Sequence, residues 1–195
     1  MPPRSGAEGN ARLTATTAVA LLALLATEGV TILFLRPLLS VHVFVGMMLI
    51  PPVALKLGTV GWRFVRYYSG SNPYRLKGPP PFFLRIAVAP AVVASTIVLF
   101  ATGVALIVVG PGGGIVLGLH KASFVIWFGA MAVHVLAHLL KLPGLAAADL
   151  RAAGRRLPYS SLRLAALAAA LVAGAGLAAG TAHLAQPWIG WSMER

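Results

Sequence analysis

The chain contains no cysteine. Disulfides, iron–sulfur clusters and thiolate-bound metal are thereby excluded, and any redox chemistry must rest on a cofactor held by other ligands. Acid is nearly as scarce: four Asp and Glu stand against sixteen Lys and Arg, a net charge of +12. No carboxylate pair offers itself for general acid–base work. The "GPGGG" at 110–114 is a short turn signal and lacks the strand–loop–helix context of a nucleotide loop. These absences argue against a stand-alone hydrolase or transferase.

Charge of either sign is thin. Only 10% of the 195 residues are charged and 58% are hydrophobic, whereas a soluble domain is about a quarter charged. Mean hydropathy is +0.86. The composition is that of a polytopic membrane protein. The basic excess lies between apolar runs and forms no cationic face interleaved with aromatics, so nucleic acid is not expected as a partner. Loop charges that set membrane orientation account for it.

Apolar runs of about 20 residues are needed to cross a bilayer. Five qualify, at residues 13–35, 37–61, 82–109, 115–140 and 162–184. The first is longer than the roughly 7–15 residues of a signal-peptide core and reads as an uncleaved transmembrane helix. The connection from span two to span three holds Arg63, Arg66, Arg75, Lys77 and, at the start of span three, Arg85. Lys141, Arg151, Arg155, Arg156 and Arg163 fall between spans four and five. The positive-inside rule then places the N-terminus in the cytoplasm and the C-terminus outside. Short connections predict an up-and-down all-α bundle in a plasma membrane of bacterial type, with lipid as its solvent. Tyr67, Tyr68, Phe82 and Phe83 read as an interfacial belt. Pro51 and Pro52 should kink the second span and free backbone carbonyls.

Histidine is the polar residue that these runs do admit. His42 and His120 each lie about five residues from the outer end of spans two and four, which run in the same direction. Their side chains are thus expected at one level. Two neutral imidazoles facing each other across a bundle can clamp the iron of a haem b from both sides. His134 follows His120 by 14 residues, a rotation that returns to within about 40° and a rise of about 21 Å. His138, 18 residues on from His120, returns to nearly the same azimuth. All three are expected to point inward. His183, near the outer end of the fifth span, is expected to cap or face water.

His120-x13-His134 on one helix, with His42 opposite, resembles the small membrane b-type cytochromes of the cytochrome b561 and b/b6 kind. These include the cytochrome b subunits of bacterial hydrogenases and formate dehydrogenases. The resemblance covers residues 13–141 and implies a four-helix haem bundle, often diheme, passing electrons between a partner oxidoreductase and quinone. Residues 142–161 would then form a basic cytoplasmic loop. Residues 162–184 would form an accessory fifth helix, in one membrane domain over 1–195. Gly174, Gly176 and Gly180 permit that helix close contact with another.

The chain departs from the diheme pattern at Lys56, where a second histidine of span two would stand. Lys56 either ligates iron, holds a propionate or snorkels to the interface. One haem is the expected count. Arg36 and Lys121, beside the outer histidines, either pair with propionates or anchor the interface. Gly46, Gly129 and Ala130 allow close approach of a porphyrin or of another helix. Glu28, the only acid in an apolar run, serves either a proton relay at a quinol pocket or a hydrogen-bonded core.

The rival reading is a non-haem transporter, or a structural subunit, that uses its histidines for protons, metal or packing. Transport usually needs acids along a path, and Glu28 stands alone.

Overall fold

Backbone amides inside a bilayer find no water, so a chain this apolar must close its hydrogen bonds within helices. The computed structural model describes residues 6–79, 81–138 and 160–193, and every regular element among them is helical. The order is α1 (Gly6–Leu33), α2 (Leu35–Tyr68), a short α3 (Asn72–Arg75), a π-helical turn (Leu84–Val88) that runs into α4 (Ala89–Val109), and α5 (Gly114–His138). Beyond residue 159 follow α6 (Ser160–Thr181), a 3₁₀ turn (Ala182–Ala185) and α7 (Gln186–Met193). Five stretches are long and apolar enough to cross a membrane: Gly6–Leu33, Leu35–Tyr68, Leu84–Val109, Gly114–Ala137 and Ser160–Ser192. The protein is a multi-pass membrane protein. Its lipid contact shows in the large apolar side chains left outside, such as Ile115 at 83% and Val108 at 76% exposure.

α1 and α2 form an antiparallel hairpin with a tight corner. Glu28 meets His42 and Thr14 meets Lys56 across it, and both pairs of numbers sum to 70, which fixes one register for the whole seam. α4 and α5 form a second hairpin, closed by Gly110 at φ 68°, a left-handed position that suits glycine. Its register appears in the Trp127 indole, which donates to Thr96 Oγ1 at 3.0 Å. α6 packs along α2 as α1 does, so α2 is the central helix of a three-helix layer. Leu21, Val45 and Leu49 form the core of that layer, and Phe100 of α4 reaches it from the second hairpin.

Several features differ from the sequence expectations. Helix α2 runs to Tyr68 rather than 61; its 34 residues span about 51 Å, well beyond the ~30 Å hydrocarbon core. The excess turns project from the basic end. The helix leaves helical dihedrals at Leu38 (φ −108°, ψ 16°), while Pro51 and Pro52 lie inside it. Leu38 is the corner of the α1–α2 hairpin, where a reversal of direction forces the break.

Pro52 has no N–H for the carbonyl of Met48. That carbonyl faces Gly174 of α6, where a Cβ would overlap its oxygen. The last long helix, expected beside the bundle, is therefore seated directly on α2. Finally, α7 was not foreseen. Its Trp188 is buried and donates its indole N–H to the Leu106 carbonyl of α4 at 2.7 Å, tying the three-helix layer to the second hairpin.

Candidate functional site

The site begins with α1. Glu28 and Thr31 are three residues apart and so share a face. Thr31 is 1% exposed. Its hydroxyl donates to the Glu28 carbonyl at 2.6 Å and also lies 3.3 Å from Glu28 Oε2. Across the seam, His42 Nδ1 lies 2.9 Å from Glu28 Oε1 and 3.1 Å from Thr31 Oγ1. The single Thr31 proton is committed to the short bond with the backbone, so its oxygen can only accept from the ring. The carboxylate is likewise an acceptor. His42 therefore presents an N–H at Nδ1 to these two acceptors. Gly46, one turn on, faces this carboxylate: a Cβ there would lie 3.5 Å from Glu28 Oε1.

The second imidazole is built in the same way on the other hairpin. The Thr102 hydroxyl donates to the Val98 carbonyl at 2.7 Å, with the Leu99 carbonyl at 3.0 Å. His120 Nδ1 lies 3.1 Å from Thr102 Oγ1, and Leu99 offers the ring a further backbone acceptor. His120 thus likewise presents an N–H at Nδ1. The ring lies flat enough on α4 that a Cβ at Gly103 would sit 3.2 Å from its Cε1.

The structure brings His42 and His120 within electrostatic range of each other. They belong to different layers: α5 packs on α4 and the π-helical turn, and has no extended contact with α2. Two half-buried imidazoles thus stand on different hairpins, each with Nδ1 held by its own hairpin. An anchored Nδ1–H that leaves Nε2 as donor is the arrangement of metal-ligating histidines.

Among the described residues, no group of three or more His, Asp or Glu comes together to hold a bare metal ion. Two imidazoles suffice where the remaining coordination positions come from a macrocycle.

The other sequence candidates lie elsewhere. Lys56 donates from Nζ to the Thr14 carbonyl at 2.7 Å, so its ammonium ties α2 to α1. His134 is half-buried on α5 and has an interaction of its own. His138 closes α5, and its side chain lies outside the described residues. Arg36 lines a cavity of about 380 Å³ with Pro37, Leu39, Ser40, Ile189 and Ser192, between the start of α2 and α7. Lys121 is exposed, its azimuth about 100° from that of His120. His183 is exposed on the 3₁₀ turn.

Sequence reasoning missed Thr31, Thr102 and Gly103. Thr31 had a faint signal, the i, i+3 spacing from Glu28. Thr102 had none, because its partner is 18 residues away on another helix. Comparison of the chain with protein-family models, curated proteins and solved structures finds no match.

Proposed function

We propose that the protein is a membrane b-type cytochrome that transfers electrons, in which His42 and His120 would hold one haem b. The observation that carries this reading is the matched anchoring of two imidazoles at Nδ1. Two imidazoles from separate hairpins each set Nδ1 on an acceptor of its own hairpin, which would leave Nε2 for the iron. The haem would supply the one-electron chemistry between ferric and ferrous iron.

The chain's own residues orient and bias that centre. Glu28 and Thr31 hold the ring of His42, and the carboxylate raises the electron density of that imidazole. Thr102 holds His120 through a neutral acceptor, so the two ligands are electronically unequal. Gly103 lets the second ring lie against α4. The lipid-facing helices keep bulk water from the seam. In this reading the basic end is cytoplasmic by the positive-inside rule, in a bacterial plasma membrane. The protein then serves as anchor or conduit between a partner oxidoreductase and quinone.

A proton-handling transporter is favoured by one observation, the Glu28–His42 pair. It leaves the parallel anchoring of His120 by Thr102 without a purpose. The test is a reduced-minus-oxidised visible spectrum of the detergent-purified protein expressed with haem available. A sharp α band lost in both His42→Ala and His120→Ala is expected. A preparation with no haem bands would sink the proposal.

A further inference from the structure

The basic end carries a second construction that electron transfer does not use. Where α2 leaves the hydrocarbon, the chain folds back as an ordered strap. It turns at Gly70 (φ 87°) and again at Gly78 (φ 68°), both left-handed positions open to glycine. Trp62 Nε1 donates to the Tyr74 hydroxyl at 3.1 Å, and Tyr74 is the buried residue of the strap's own short helix α3. Arg66 Nη2 donates to Ser71 Oγ at 3.2 Å, and Lys77 Nζ reaches the Ala7 carbonyl of α1 at 3.3 Å. The strap is thus held in place by its own polar side chains.

What it presents is positive charge with no counter-charge among the described residues. Arg63, Arg66, Arg75 and Lys77 are all exposed. The whole sequence has only four acids, Glu8, Glu28, Asp149 and Glu194. Glu8 pairs with Arg12 and Glu28 with His42, and the other two lie outside the described residues. The bonds made by Arg63, Arg66 and Lys77 go to neutral oxygens, so their charges are uncompensated among the described residues.

At the far end of the strap, where the π-helical turn begins α4, Arg85 has a buried Nε that finds no acceptor among the described residues. Its guanidinium lies 5.9 Å from the centre of the Phe82 ring. A buried donor with no partner is costly, and a guanidinium is a fork shaped for phosphate.

Exposed aromatics decide the kind of anion. Trp62, Phe64, Tyr68, Phe82 and Phe83 are between 55% and 72% exposed among these cations. Large aromatics with one wet side belong at the depth of lipid headgroups. An acidic soluble partner would satisfy the cations and leave these rings in water.

We propose that the strap and Arg85 form a binding site for the phosphate of anionic phospholipid headgroups. The exposed cations draw the lipid in, and the Arg85 fork is the deepest donor. Clusters of cations just beyond a membrane span attract anionic lipid in this way.

The test uses the full purified chain in mixed micelles with equal phosphatidylglycerol and phosphatidylcholine of the same acyl chains. Native mass spectrometry should show phosphatidylglycerol retained at least about tenfold over phosphatidylcholine, falling at high salt. The Arg63→Gln, Arg66→Gln, Arg75→Gln, Lys77→Gln combination should bring the ratio close to one. Arg85→Gln should lower it, and Arg85→Lys should keep most of it by retaining the charge.

The wild-type ratio stands without any variant having to fold. Equal retention of the two lipids would overturn the proposal. So would a preference unchanged in both the fourfold variant and Arg85→Gln. Loss of bound phosphatidylglycerol to millimolar inorganic phosphate would assign the site to a free anion instead. Displacement by soluble polyglutamate would assign it to an acidic partner, and either result overturns the lipid assignment.

Discussion

Glu28 of α1 and His42 of α2 face each other with Oε1 2.9 Å from Nδ1, in the outer half of a membrane span as the sequence orients it. A carboxylate has few routes to satisfaction at that depth. Here the imidazole N–H and the gap left by Gly46 supply one. In the proposed cytochrome this acid is the partner that fixes the His42 ring and its tautomer. Glu28→Gln should weaken haem retention by about 10–100-fold and raise the midpoint potential, because the ligand loses electron density. Haem titration and potentiometry of the purified variant measure both.

Thr102 plays the matching part for His120 without charge. Thr102→Val removes the acceptor and should cost about 1 kcal/mol of ring anchoring, seen as faster haem loss. Thr102→Ser keeps the hydroxyl and should restore the wild-type rate. Little change in midpoint potential is expected in either, in contrast to Glu28→Gln. A potential shift in Thr102→Val as large as in Glu28→Gln would contradict the asymmetry argued for the two ligands.

Gly174 is where α6 meets the Met48 carbonyl freed by Pro52. A methyl there strikes backbone, which cannot move aside as a flexible side chain can. Gly174→Ala should destabilise the detergent-solubilised protein by about 1–3 kcal/mol. Gly176, two residues on, has nothing within 4 Å of a built Cβ. Gly176→Ala should be neutral or slightly stabilising through helix propensity. Thermal melts of the two variants side by side make the comparison.

Lys56 spends its ammonium on the Thr14 carbonyl, on the face of α2 that meets α1. Lys56→Met keeps the length of the stem and removes a charge that is costly at the edge of the hydrocarbon. Haem content should be unchanged, and stability equal to or above that of the wild type. The visible spectrum reads the first and a thermal melt the second. Loss of haem in this variant would mean that Lys56 serves the cofactor.

Trp188 anchors α7 through its bond to the Leu106 carbonyl. That oxygen also accepts from Gly110 N at 3.0 Å, so it is not orphaned when the indole is lost. Trp188→Phe should therefore cost only about 1 kcal/mol. It should raise proteolytic cleavage near the C-terminus before it lowers the global melting temperature.

Much of this was legible from residue order alone. Scarce charge and five apolar runs fix a multi-pass helical membrane protein, because a bilayer gives a backbone no other way to close its hydrogen bonds. The cost of placing imidazole in hydrocarbon marks His42 and His120 as exceptional, and helical geometry gives each a depth and an azimuth along its own helix. Periodicity says nothing of which neighbour turns to meet that azimuth. The register of each hairpin, and the seating of α6 on α2, are set by packing between distant segments.

Packing therefore decided that Glu28 and Thr31 hold one ring while Thr102 holds the other. It also sent Lys56 to α1, and it used Pro52 to open a carbonyl for Gly174. A sequence carries the chemistry of each side chain. Only the rotation and approach of neighbouring helices determine which of those groups come within hydrogen-bond reach of one another.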